Sequence, residues 1–152
     1  MGLFPEDFYN NTTSSTTTTS EITLLKDYAI DLETGELLYD LNKNAIIVEG
    51  LDAVIAQSWR KIHTPKLDAI NNEGYFIYGP NFGSQFHKLI GKSKSIGDAF
   101  AYQMLVDCLI DGTYITGISN FATTLEKSSY TINYTMESIY GSYQDSIYVQ
   151  IE

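Results

Sequence analysis

The sequence predicts an α+β fold, a small mixed or antiparallel sheet with N-terminal and C-terminal hairpins packed against about three helices. Three observations carry that reading. Tyr130, Ile132, Tyr134 and Met136 alternate with Thr131, Asn133, Thr135 and Glu137, the period of two of a half-buried strand, and Ile147, Val149 and Ile151 repeat it at the end of the chain. A similar alternation flanks Glu33-Thr34-Gly35-Glu36 near the start. Between these regions the apolar spacing becomes helical.

Met1 to Tyr9 is an aromatic and acidic peptide, and Asn10 to Ser20 contains only Asn, Thr and Ser. Such a tract buries no core, so residues 1–20 read as a flexible arm with a tether whose r.m.s. span is about 18 Å. Leu3, Phe4, Phe8 and Tyr9 are then candidates for docking away from the body, and residues 21–152 form a single domain. Tyr28, Ile30 and Leu32 face Leu37, Tyr39 and Leu41 across the Gly-containing turn, the first predicted hairpin. From Gly50, Leu51, Val54, Ile55, Ser58, Trp59 and Ile62 share one helical face, which Thr64-Pro65 terminates. The run Gly74-Tyr75-Phe76-Ile77-Tyr78-Gly79-Pro80 lies between breakers and reads as a strand. Phe82, Phe86, Leu89 and Ile90 give a short helix ending at Gly91. Phe100, Ala101, Met104, Leu105, Cys108 and Leu109 give another, stopped by Asp111-Gly112. At the C-terminus, Gly141 to Ser146 reads as a short polar turn joining the two alternating runs into an antiparallel hairpin. That hairpin leaves an open edge able to pair with another chain.

Composition narrows the function. The 152 residues are 43% apolar, enough for one core, and carry a formal charge of −10 with only nine Lys and Arg. Nucleic-acid affinity rests on cations that neutralise phosphates, so no nucleic-acid partner is expected. A single cysteine, Cys108, allows neither an intrachain disulfide nor a thiolate zinc site and suits a reducing compartment. No apolar run approaches the roughly 18 residues that span a bilayer, and the first residues lack the pattern of a signal peptide, so no membrane partner is expected.

Little chemistry is encoded. Gly91-Lys92-Ser93 resembles the end of a phosphate-binding loop, but Phe86 stands where that loop needs its first glycine. His63 and His87 lack metal-ligand spacing, and Cys108 lies on an apolar helix face without a base nearby in sequence. Glu73 and Asp107 would be one imaginable acid and nucleophile pair of a glycosidase, yet nothing in the sequence fixes them within reach. No catalytic residue, cofactor or metal ligand is assigned.

The order Gly50-Leu51-Asp52-Ala53, Ile77-Tyr78, Asn81-Phe82-Gly83, Leu89-Ile90-Gly91-Lys92, Ile115-Thr116-Gly117-Ile118-Ser119-Asn120-Phe121 and Ile139-Tyr140-Gly141 resembles the XkdS-like baseplate proteins of contractile phage tails and phage-tail-like bacteriocins. These are related to the wider sheath-initiator family, whose members are sometimes labelled lysozyme-like baseplate wedge proteins. The resemblance runs from about Asp27 to Ile151 and rests on the order of six short motifs, each weak alone. It implies a structural protein of a six-fold tail baseplate, assembled in the bacterial host cytoplasm, with six copies per baseplate. Its implied partners are sheath protein, baseplate wedge proteins and tail tube or hub proteins. In that family sheath subunits are joined by strand exchange, which singles out Ile147, Tyr148, Val149, Gln150 and Ile151 as the candidate sheath-pairing strand. Many relatives carry an acidic-Pro-Arg triplet that meets the wedge core. Gly112, Thr113 and Tyr114 stand in its place, so these residues are the candidate wedge contact but the arginine's role does not carry over. The competing readings are a tail-associated peptidoglycan hydrolase and a tail-completion or connector protein.

Overall fold

A computed structural model describes residues 21–68, 70, 72–74, 79 and 81–150. The arm residues Leu3, Phe4, Phe8 and Tyr9, the apolar run Tyr75 to Tyr78 and the terminal Ile151 lie outside the described residues. The fold is α+β. Two short strands, β1 (Lys26–Tyr28) and β2 (Ile47–Glu49), pair antiparallel ahead of helix α1 (Leu51–His63). A single 3-10 turn (Phe86–Leu89) precedes helix α2 (Lys94–Leu109), and the chain closes with β3 (Ile115–Glu126), β4 (Ser129–Ser138) and β5 (Gly141–Gln150) in a sheet of order β3-β4-β5.

The N-terminal hairpin differs from expectation in its pairing. Its turn forms where Gly35 predicts it, with Asp31 N–H donating to Glu36 O at 2.9 Å and Ile30 bridging to Leu37. The chain then reverses a second time, because the Asp40 carboxylate accepts from Asn42 and Asn44 N–H at 2.8 and 3.0 Å, a local Asx turn. The third segment therefore pairs with the first, Tyr28 opposite Ile47. Gly35 is required for a packing reason as well as a conformational one: its φ is +77°, and a Cβ there would stand 2.1 Å from the Trp59 ring. That ring is fixed from the other side by its N–H donating to Leu32 O at 2.8 Å.

Helix α1 ends where Thr64-Pro65 predicts, with Thr64 already extended. Its buried residues are Ala53, Val54, Ala56, Ser58 and Lys61, so the core-facing stripe is rotated relative to the expected one and leaves Ile55 and Trp59 half-buried. Ser58 Oγ donates to Val54 O at 2.7 Å and contacts Met136 Sδ at 3.2 Å. Helix α2 begins earlier than its apolar pattern suggests, at the Ser93 N-cap. It buries Ala101, Leu105, Cys108 and Leu109 as expected, but Phe100 is 55% exposed. Gly97 lets it close on the sheet, since a Cβ there would meet the Tyr130 ring at 3.3 Å. The expected helix near Phe86 is only one 3-10 turn, with Phe86 and Leu89 buried and Ile90 in the open.

The alternation in β4 is realised as read. Tyr130, Ile132, Tyr134 and Met136 are each at most 2% exposed and form the floor of the core, joined by Ile147 and Val149 from β5. The position of the connecting turn is a correction. Gly141 to Ser146 are not a turn but the first part of β5, and the reversal is the two-residue link Ile139-Tyr140, with Ser138 paired to Gly141. Ser138 Oγ closes this link by donating to Gly141 O at 2.6 Å and accepting from Tyr140 N–H at 3.2 Å. Polar residues are compatible with a strand here because Ser142 and Gln144 face solvent at the sheet's edge, while Tyr143, Asp145 and Ile147 point inward.

Candidate partner-binding edge

Among the described residues β5 pairs only with β4, so its far side is an open edge over Gly141–Gln150, on which the Ser146 N–H donates to the Asp145 carboxylate at 2.8 Å. Of the candidate pairing residues, Ile147 and Val149 are buried on the inner face opposite Ile132 and Tyr130, whereas the Tyr148 side chain is 74% exposed. Gln150 ends the strand and donates from Nε2 to Ser128 Oγ at 2.6 Å, which pins it to the β3–β4 turn. The edge is thus held rigid by its inner side chains while its backbone stays available.

Alongside this edge runs an open groove of about 640 Å³. Its far wall is α1, through Ile55, Trp59 and Ile62, with Ile90 beyond the 3-10 turn. Every residue from Asp145 to Gln150 lines it, together with the inward-facing Tyr134 and Met136 of β4 and Tyr143 of β5, so the groove lies between α1 and the inner face of the sheet and opens at the β5 edge. Trp59 stacks on His63 with ring centroids 3.9 Å apart, and His63 Nδ1 contacts Trp59 O at 2.8 Å. Sequence reasoning missed this wall and missed Asp145. The signal was present in the alternation of Tyr143, Asp145 and Ile147, which a turn over Gly141 to Ser146 obscures.

Gly112, Thr113 and Tyr114 lie at one end of the sheet, beside the β4–β5 link. The Asp111 carboxylate accepts from the N–H groups of Thr113, Tyr114 and Ile115 at 2.9, 2.8 and 3.0 Å. Burial alone would raise the Asp111 pKa, but these donors together with Lys61 outweigh it and hold the group below the usual carboxylate value. Tyr114 is tied down further: its hydroxyl donates to Thr23 O at 2.8 Å, its carbonyl accepts from Ile139 N–H at 3.0 Å, and its ring stacks on Tyr140. Ile115 pairs with Ser138 and Ser138 with Gly141, so this loop marks one end of the sheet while Gln150 marks the other.

The remaining candidates do not converge on chemistry. Glu73 Oε2 is bound to His87 Nε2 at 2.9 Å, and Asp107 accepts from Gln103 at 2.7 Å on the exposed side of α2. Burial pushes the Cys108 thiol up to about 12, against a smaller opposing effect of Lys61 and Lys66, which makes it a poor nucleophile. Among the described residues no three His, Cys, Asp or Glu side chains cluster as metal ligands, and no helix is long and apolar enough to cross a membrane.

A free edge strand on an α+β body is a feature that binding and assembly proteins use to add a partner's strand. The family model described as contractile injection system sheath initiator matches residues 26–141, and the chain belongs to that family. It is accordingly a structural protein with a baseplate or sheath role in a contractile injection system. No curated protein matches the chain.

Proposed function

We propose that this protein starts the sheath by offering the β5 edge as a template to a strand of a subunit in the first sheath ring, while the loop Gly112–Tyr114 faces the baseplate wedge. The observation that carries this reading is the open edge of β5, a ten-residue strand fixed on one side to β4. Each added ladder hydrogen bond is worth about 1 kcal/mol net. Several per subunit, repeated around a ring of copies, make an attachment able to survive contraction. The loop and the edge occupy different parts of the sheet, so one body can hold both partners at once, and the three bonds to Asp111 keep the loop in a single shape.

Tyr148→Pro tests the template. Tyr148 is mostly exposed, so the substitution spares the core, but proline disturbs the strand and its ladder. The variant is expected to remain folded in a thermal melt, to enter baseplates, and to leave bare tubes in electron micrographs. Normally sheathed tails from this variant would remove β5 as the initiation edge.

A further inference from the structure

Asp145 points inward from the middle of β5, opposite Tyr134, and among the described residues is the only carboxylate lining the groove. Its oxygens meet the Tyr134 hydroxyl at 3.3 Å and the N–H of Ser146 at 2.8 Å, and among the described residues it forms no ion pair with a lysine, arginine or histidine. The two histidines that line the groove are engaged elsewhere, His63 with Trp59 and His87 with Glu73, and among the described residues its other titratable groups are the hydroxyls of Tyr134, Tyr143 and Tyr148. The carboxylate is half-buried and lines the open groove, so water can reach it from that side. A fourth strand laid against β5 fills that side and withdraws water from the charge. An unpaired carboxylate then opposes binding, whereas a cation directly across the ladder offsets the loss.

The rest of the groove sets the neighbouring positions. Ile147 and Val149 on the strand and Ile55, Trp59 and Ile62 on α1 offer only apolar contact, and Ile90 is 56% exposed on the groove's far side. Side chains of an added strand that share the inner face recur every second residue.

We infer that the strand accepted by β5 carries a lysine or arginine opposite Asp145, flanked at the alternate positions by apolar residues that fill the groove against α1. This rests on the template reading above and adds the partner's chemistry to it. Positive charge at that one position, set among apolar neighbours, fixes the register of the incoming strand, since a slip of one residue turns its apolar set outward and leaves Asp145 unpaired.

The test uses whole particles assembled with the native sheath protein. Asp145→Lys is expected to lower the fraction of sheathed tails at least about tenfold, Asp145→Asn to lower it less, and both to enter baseplates and to show a cooperative thermal melt. Selection for restored sheath on the Asp145→Lys background is expected to yield Lys or Arg to Glu or Asp changes in a terminal strand of the sheath subunit. Wild-type levels of sheath on Asp145→Lys, or suppressors that all lie away from a basic residue of such a strand, would overturn the inference. Hydrogen exchange of β5 amides in sheathed particles separates the two readings. Protection in wild type and Asp145→Lys alike leaves the template standing without the charge pair, and no protection in wild type removes the template itself.

Discussion

Asp98 shows how one side chain ties three elements together. Its carboxylate accepts from Lys94 at 2.6 Å on its own helix, from Thr123 at 2.5 Å on β3 and from Tyr130 at 2.5 Å on β4. The hydrogen bond from Lys94 contributes most, then those from Thr123 and Tyr130, and together they hold the Asp98 pKa at about 2 against an ordinary 3.8. A carboxylate whose folded pKa is depressed adds stability above its unfolded value and loses it as pH falls through the folded one. Wild type should therefore be more stable than Asp98→Asn at about pH 5, and the gap should narrow as the pH is lowered from about 4 towards about 2, read from urea midpoints. A gap independent of pH would show that Asp98 contributes only neutral hydrogen bonding. The inward set Tyr130, Ile132, Tyr134 and Met136 was legible from strict alternation, because burial on one sheet face is a local pattern. The bond from Tyr130 to Asp98 was not legible, since its partners are 32 residues apart and no periodicity links them.

At the scale of elements, sequence patterns located helices well where breakers bound them and located turns poorly where polar residues belong to an edge strand. Thr64-Pro65 stops α1 at His63, but Gly141 to Ser146 are strand and the reversal falls on Ile139-Tyr140. Tyr140 can occupy a two-residue link because its ring and hydroxyl find partners elsewhere. The ring stacks on Tyr114 and lies 3.7 Å from where a Cβ on Gly50 would stand, and the hydroxyl accepts from Leu25 N–H at 3.0 Å. These are tertiary reasons and leave no trace in local composition. Tyr140→Phe keeps the ring and removes the acceptor, orphaning a backbone donor. The expected cost is about 1–2 kcal/mol in chemical denaturation, with faster amide exchange at Leu25. An unchanged midpoint with unchanged exchange would mean that the link is held by Ser138 alone.

For the whole molecule, strand order separates two tasks. The loop Gly112–Tyr114 is anchored at the end of the sheet where Ile115, Ser138 and Gly141 come together, and the free edge extends from there over ten residues, about 33 Å, to Gln150. An acidic body with an unpaired edge gains stability against self-association from charge repulsion, which leaves the edge for a partner that supplies cations. The general assembly role was legible because six short motifs keep their order along the chain. The groove beside β5 was not, because α1 and β5 meet only through the fold. The most direct measurement is a reconstruction of the assembled baseplate with its first sheath ring, at a resolution that traces strands. A sheath strand hydrogen-bonded along Gly141–Gln150 is expected, with its inward side chains in the groove against Trp59 and a basic residue at Asp145. A β5 edge left open to solvent beneath an attached sheath ring, with the sheath strand paired to β3 instead, would contradict it.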